Sequence, residues 1–193
     1  MNTRRNPRLA RVLVLVLACS LALTFALGSA PSAHANATVL GGLDLKAYCQ
    51  SQGYIGARSV ENTAYGWRCV DRNGNNVLLS LHSACQWQYH TANAWDRIGF
   101  FHSAQGIECM SGRFIGGLDL RGYCRFKGEV GAVLQGNTVD DWRCYSYASF
   151  GGGVITHTIW MDDACNWEYG NTYGFVLSRY DNYYSATTME CIG

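Results

Sequence analysis

The chain lacks an apolar run of the roughly 20 residues that a membrane-crossing helix requires. Its longest, Val12 to Leu27, is about sixteen residues. It also lacks a Cys-x-x-Cys pair, a Gly-x-Ser-x-Gly elbow and a His-x-x-x-His ligand pair. These absences argue against zinc held on paired cysteines, a serine hydrolase and a helical metal site. Basic charge is scarce once the N-terminus is set aside. Arg4, Arg5, Arg8 and Arg11 account for four of the 15 Lys and Arg, leaving eleven against 14 Asp and Glu, a formal charge of −3 for the remainder. A chain with that balance offers no electrostatic footprint for a nucleic-acid backbone and no basic amphipathic helix for a membrane surface.

What is present begins with an export signal. The four arginines form a basic leader, the Val12–Leu27 run follows, and Ala33-His34-Ala35 supplies small residues at the two positions a signal peptidase reads. Residues 1–35 are expected to be cleaved, and the protein to be secreted to the extracellular space. Lipidation at Cys19 is disfavoured, because Leu17 stands where a smaller residue is usual.

The remainder is one module written twice. Leu43-Asp44-Leu45-Lys46-Ala47-Tyr48-Cys49 returns as Leu118-Asp119-Leu120-Arg121-Gly122-Tyr123-Cys124, and Trp67-Arg68-Cys69 as Trp142-Arg143-Cys144. Ala84-Cys85-Gln86-Trp87-Gln88-Tyr89 returns as Ala164-Cys165-Asn166-Trp167-Glu168-Tyr169. The expected modules are residues 36–111 and 112–193, with four cysteines each. Eight cysteines in an exported chain read as a disulfide framework. Leu79-Ser80-Leu81-His82-Ser83-Ala84-Cys85 also has the Leu-x-Leu-x-x-x-Cys spacing of Leu43 to Cys49, so each module looks like two half-units with one leading and one following cysteine. That symmetry favours Cys49–Cys69, Cys85–Cys109, Cys124–Cys144 and Cys165–Cys191. A module of this size gains little surplus stability from its core, and closing a loop of about twenty residues contributes roughly 3 kcal/mol.

Asp44 and Asp119 are good N-caps, with Leu43/Tyr48 and Leu118/Tyr123 as hydrophobic staples and Gly53 and Gly128 as left-handed stops. A second helix is expected from about His82 to Tyr89, and again from Asp162 to Tyr169. Strands are expected at Tyr65–Val70, Val77–Leu81, Trp95–Phe101 and Ile107–Met110. In the second copy they fall at Asp141–Tyr147, Val154–Trp160, Tyr173–Arg179 and Thr187–Cys191. The Asn73-Gly74 dipeptide marks a hairpin turn. The fold class is α+β, two tandem disulfide-stapled modules, each with two short helices on a small antiparallel sheet.

Candidate sites are aromatic. Tyr48, Trp67, Trp87 and Tyr89 have counterparts in Tyr123, Trp142, Trp167 and Tyr169, and identical placement beside cysteines reads as core; as a surface they would be two equivalent sugar-stacking sites. Aromatics without an evident counterpart suit a specific surface: Trp95, Phe100 and Phe101 in copy one, and Tyr145, Tyr147, Phe150, Tyr183 and Tyr184 in copy two. Asn36-Ala37-Thr38-Val39-Leu40 reads as a free extended segment able to add to a partner's sheet edge. Catalysis finds little support. His82, His90, His102 and His157 show no ligand spacing, and His82 and His90 read as solvated surface groups. Asp140-Asp141 and Asp162-Asp163 have no acidic counterparts in copy one, and Asp71 to Asn76 lacks the distal Glu of a calcium loop. No enzyme activity, cofactor or metal is expected.

The LDLxxYC, WRC and ACxWxY set, over Leu40 to Gly193, resembles small secreted actinobacterial proteins built of paired four-cysteine modules. In size, export and architecture the chain is similar to the adaptor subunit of umbrella toxin particles. That resemblance implies a secreted non-catalytic adaptor whose partners are larger toxin or lectin subunits, with no nucleic acid or membrane bound. A secreted lectin taking glycans on two equivalent aromatic sites is the alternative, and a protease inhibitor a further one.

Overall fold

The computed structural model describes residues 36–149 and 151–193. The expected leader, Cys19 and Phe150 lie outside them. Among the described residues are four α-helices, α1 (Leu45–Ser51), α2 (Leu81–Tyr89), α3 (Leu120–Phe126) and α4 (Met161–Tyr173). Copy one carries strands β1 (Thr38–Gly41), β2 (Gly56–Ser59), β3 (Trp67–Val70), β4 (Asn76–Leu78), β5 (Ala94–Ile98) and β6 (Ile107–Ser111). Copy two repeats the order with β7 (Phe114–Gly116), β8 (Gly131–Leu134), β9 (Trp142–Tyr147), β10 (Val154–Thr158), β11 (Leu177–Tyr180) and β12 (Met189–Ile192). They form four antiparallel three-stranded sheets, β2-β3-β4 and β1-β6-β5 in copy one, and β8-β9-β10 and β7-β12-β11 in copy two. The protein is α+β with repeated modules, and each module divides its strands between two sheets.

The half-unit is the folding grammar. Asp44 caps α1 by accepting from the Ala47 amide, and Ser80 caps α2 by accepting from that of Ser83; Asp119 repeats the first arrangement on Gly122. In each half-unit the helix cysteine is bonded to a cysteine on the middle strand of a sheet: Cys49–Cys69, Cys85–Cys109, Cys124–Cys144 and Cys165–Cys191. These are the pairs that the half-unit spacing predicts, and all eight sulfurs sit in the core.

The α2 and α4 helices start one residue earlier than expected, and the expected strands are shorter except β6, which extends to Ser111. Ala64–Gly66 is a 3-10 turn ahead of β3, and Leu81 belongs to α2. The α4 helix runs a turn beyond Tyr169, because Gly174, the first residue there with positive φ, is what stops it.

The N-terminal segment is not free. Thr38–Gly41 pairs antiparallel with β6, Ala37 is buried, and the Asn36 side chain accepts from the Phe175 amide. It has a counterpart: Phe114–Gly116 pairs with β12 in the same way, with Gly41 opposite Cys109 and Gly116 opposite Cys191. The glycine leaves room for a close approach, since a Cβ on Gly116 would sit 2.2 Å from the Tyr169 hydroxyl and displace it. That hydroxyl donates to the Gly117 carbonyl, as that of Tyr89 donates to Gly42.

The described residues form one compact unit, because the copies share a core. A single cluster contains Tyr48, Ala64 and Phe101 from copy one with Val139, Tyr183 and Met189 from copy two.

Candidate functional site

The matched aromatics are packed in both copies alike. Tyr48 meets Trp87 edge-on at 5.8 Å, and Tyr123 meets Trp167 at 5.9 Å. The Trp67 indole donates to the Ala104 carbonyl, and that of Trp142 to Ala186.

The aromatics read as lacking a counterpart divide into two groups. Phe101 and Tyr183 are themselves equivalent positions: the Ala64 amide donates to the Phe101 carbonyl as the Val139 amide does to that of Tyr183. Their rings stack on each other at 3.7 Å and 2° across the junction, and they are only 4% and 5% exposed. Trp95 lies in the same junction, its indole donating to the Gly112 carbonyl, with the Arg179 guanidinium 5.3 Å over its ring. These three side chains serve the internal interface. Tyr184 meets both stacked rings edge-on and Phe100 meets His102 beside them, and both are 61% exposed. Tyr145 packs edge-on against the exposed Tyr147.

The junction has the reciprocity of a twofold dimer written in one chain. The Ala37 amide of copy one donates to the Phe175 carbonyl of copy two, and the Gly112 amide to the Asn93 carbonyl. The arms cross closely enough that a Cβ on Gly112 would lie 2.5 Å from Cγ2 of the fully buried Ile192. Met110, Leu177, Ile192 and Ala37 fill the crossing. Beside it, Arg179 bonds the carboxylates of Asp96, Glu190 and Asp181, and Arg97 bonds those of Glu108 and Asp162. His82 is not a solvated surface group. Its ring packs 4.7 Å from that of Trp95, with Nδ1 buried 3.8 Å from Asp96. Residue types could not reveal this, because the neighbours come from a strand folded back beneath α2.

A cleft of about 630 Å³ opens at the same junction, with Arg97, Ile98 and Gly99 from copy one facing Asp140, Arg143 and Trp160 from copy two. Asp162 and Asp163 line it too, and Tyr180 stands in its wall. Burial raises the Tyr180 phenol well above its ordinary range, so the hydroxyl stays protonated and able to donate.

No protein-family model, no curated protein and no solved structure matches the chain. The site therefore has to be read from its own chemistry. Of the paired acids, Asp141 is occupied in a capping box with Thr138, whose hydroxyl and amide hold its carboxyl below the usual range. Asp162 accepts from the Ser178 amide and hydroxyl and pairs with Arg97. Asp71 is the hinge of the β3–β4 turn, accepting from Asn73 and Asn75. No group of three metal-ligating side chains occurs among the described residues, and no helix there is long and apolar enough to cross a membrane. Arg97, Arg179 and Trp160 escaped sequence reading. The signal that could have found them is positional, since Trp160 stands where copy one has Ser80 and Arg179 where it has Arg97.

Proposed function

We propose that the protein is a secreted, non-catalytic adaptor that binds other proteins through its exposed apolar strand edges. The observation that carries this reading is where the large apolar side chains are exposed. Leu78 on β4 is 78% exposed, Val154 and Ile155 lie exposed on β10, and Val39 and Phe114 occupy equivalent places on β1 and β7. Every one of these is an outer strand of its sheet. Such edges invite strand addition or apolar docking, and a monomer left with them open is prone to self-association.

Four disulfides suit an oxidising compartment, and the eight cysteines that form them leave no thiolate among the described residues. The acids Asp141 and Asp162 are occupied in caps and ion pairs, which favours a scaffold over a hydrolase. The likeness to the adaptor of umbrella toxin particles supplies the partner class: larger toxin-bearing or lectin-bearing extracellular subunits. Tagged mature protein should recover one or two defined large proteins from producer culture supernatant, identified by mass spectrometry. Val39→Lys with Phe114→Lys, or Val154→Lys with Ile155→Lys, should abolish recovery of at least one of them while leaving the circular dichroism spectrum unchanged. Recovery that none of these substitutions alters would refute the edge-docking reading.

A further inference from the structure

We propose that the junction cleft between Arg97 and Trp160 binds a short neutral saccharide, a function separate from protein docking. The argument starts from the duplication. Copy one has the same wall, where Ala64, Tyr65, Leu78, Leu79 and Leu81 enclose about 240 Å³. In copy two the equivalent wall is Val139, Asp140, Thr158, Ile159 and Met161, around about 630 Å³. Tyr65 explains the smaller space. Its ring packs edge-on against Phe101 and its hydroxyl joins the backbone at Asp181 and Tyr183. The shorter Asp140 leaves the corresponding volume open.

Four departures between the copies meet at this one place. Tyr65 becomes Asp140, Leu78 becomes Thr158, Ser80 becomes Trp160 and Ser83 becomes Asp163. The Trp160 change runs against folding. Ser80 caps α2 with its hydroxyl, whereas Trp160 occupies the N-cap of α4 with no side-chain hydrogen bond. It gives up a favourable cap to hold an indole 71% exposed at the mouth of a cleft. Core packing does not account for an aromatic in that position.

The chemistry of the lining selects the ligand. An exposed indole offers a flat apolar face to the C–H face of a pyranose ring. The Asp140 and Asp163 carboxylates belong to no ion pair among the described residues; Asp140 accepts from the Tyr183 hydroxyl, and the remaining lone pairs of both can accept from ring hydroxyls. Arg143, Thr158 and Tyr180 offer donors. A volume within the roughly 300–1,000 Å³ of small-ligand clefts, with a few convergent polar groups, suits a di- or trisaccharide. Two carboxylates, Asp140 and Asp163, against the single guanidinium of Arg143 leave the lining net negative, which disfavours uronic or sialic acids, and the Arg97 charge is already matched by Glu108 and Asp162.

The test uses the full mature protein with soluble trisaccharides of glucose, N-acetylglucosamine, mannose and galacturonic acid, read by calorimetry and tryptophan fluorescence. At least one neutral trisaccharide should bind, and the galacturonate should not. Trp160→Ser, which installs the residue of copy one, should weaken binding tenfold or more without lowering the melting temperature. Asp140→Tyr should close the cleft, and Trp160→Phe should retain partial affinity. Phe114→Ala, which removes an exposed aromatic of the β7 edge that lines no part of the cleft, should change nothing. Absence of binding by every neutral sugar at about 10 mM overturns the proposal, as does binding that Trp160→Ser leaves intact, or preference for a basic peptide over all sugars. Protein recovery from supernatant that persists in Trp160→Ser and in excess free sugar keeps this result apart from the fate of the adaptor reading.

Discussion

Arg97 and Arg179 occupy equivalent places in the two copies but differ in what surrounds them. Arg179 is buried with Asp96, and burial opposes its charge, yet Asp96 and Glu190 raise its pKa and hold it protonated. Arg179→Ala would leave Asp96 buried with only His82 nearby, at a cost of roughly 3–5 kcal/mol. Arg97 and its partners are partly hydrated, so Arg97→Ala should cost about 1 kcal/mol or less. Urea denaturation of both variants should show that difference. Titration adds a second expectation. Hydrogen bonds from Asn75 and Thr138 hold Asp71 and Asp141 below the ordinary carboxylate range. Their contribution is present above the unfolded pKa of about 4 and lost as pH falls through the lower folded values. At the other end, burial raises Tyr65, Tyr180 and Tyr183. Stability tied to these neutral phenols holds below about pH 10 and declines as pH rises through their raised folded values. Absorbance titration should show phenols that ionise only together with unfolding.

At the scale of elements, each helix is tied to the middle strand of a sheet by a buried disulfide, so each half-unit is one stapled lever. Removing one staple, as in Cys85→Ser with Cys109→Ser, should cost roughly 3 kcal/mol for a loop of 24 residues, measured by thermal melts. Mild reductant should spare the native bonds and reduce them only when denaturant is added, because all eight cysteines are buried. The Asp44 and Asp119 caps, the Gly53 and Gly128 stops and the cysteine pairs were legible because each depends on neighbours within a few residues or on a spacing the repeat displays twice. The strand role of Thr38–Gly41 was not read, although Gly41-Gly42 ahead of Leu43 matches Gly116-Gly117 ahead of Leu118. Strand pairing needs a partner, and β6 lies more than sixty residues away in the sequence.

For the whole molecule, the decisive feature is that the copies do not stand alone. Phe101, Met110 and Ala37 of copy one are covered by Tyr183, Ile192 and Phe175 of copy two. Residues 36–111 expressed alone should therefore expose that face and dimerise through it or aggregate, as size-exclusion chromatography with light scattering would show. Gly112→Ala should destabilise the full chain by more than about 1 kcal/mol, because the crossing arms leave no room for a methyl group against Ile192.

The sequence by itself determined the α+β class, the duplication, the half-unit and, through it, which cysteines pair, since all of these rest on local caps and on spacings that recur. Only the tertiary structure decided what the differences between copies are for. Phe101 and Tyr183 became each other's partner, and the tail before Leu43 became a sheet edge anchored to the other copy. Trp160, Asp140 and Arg97 met in one cleft. Those outcomes depend on how two similar faces meet, and contacts between distant segments leave no periodicity along the chain.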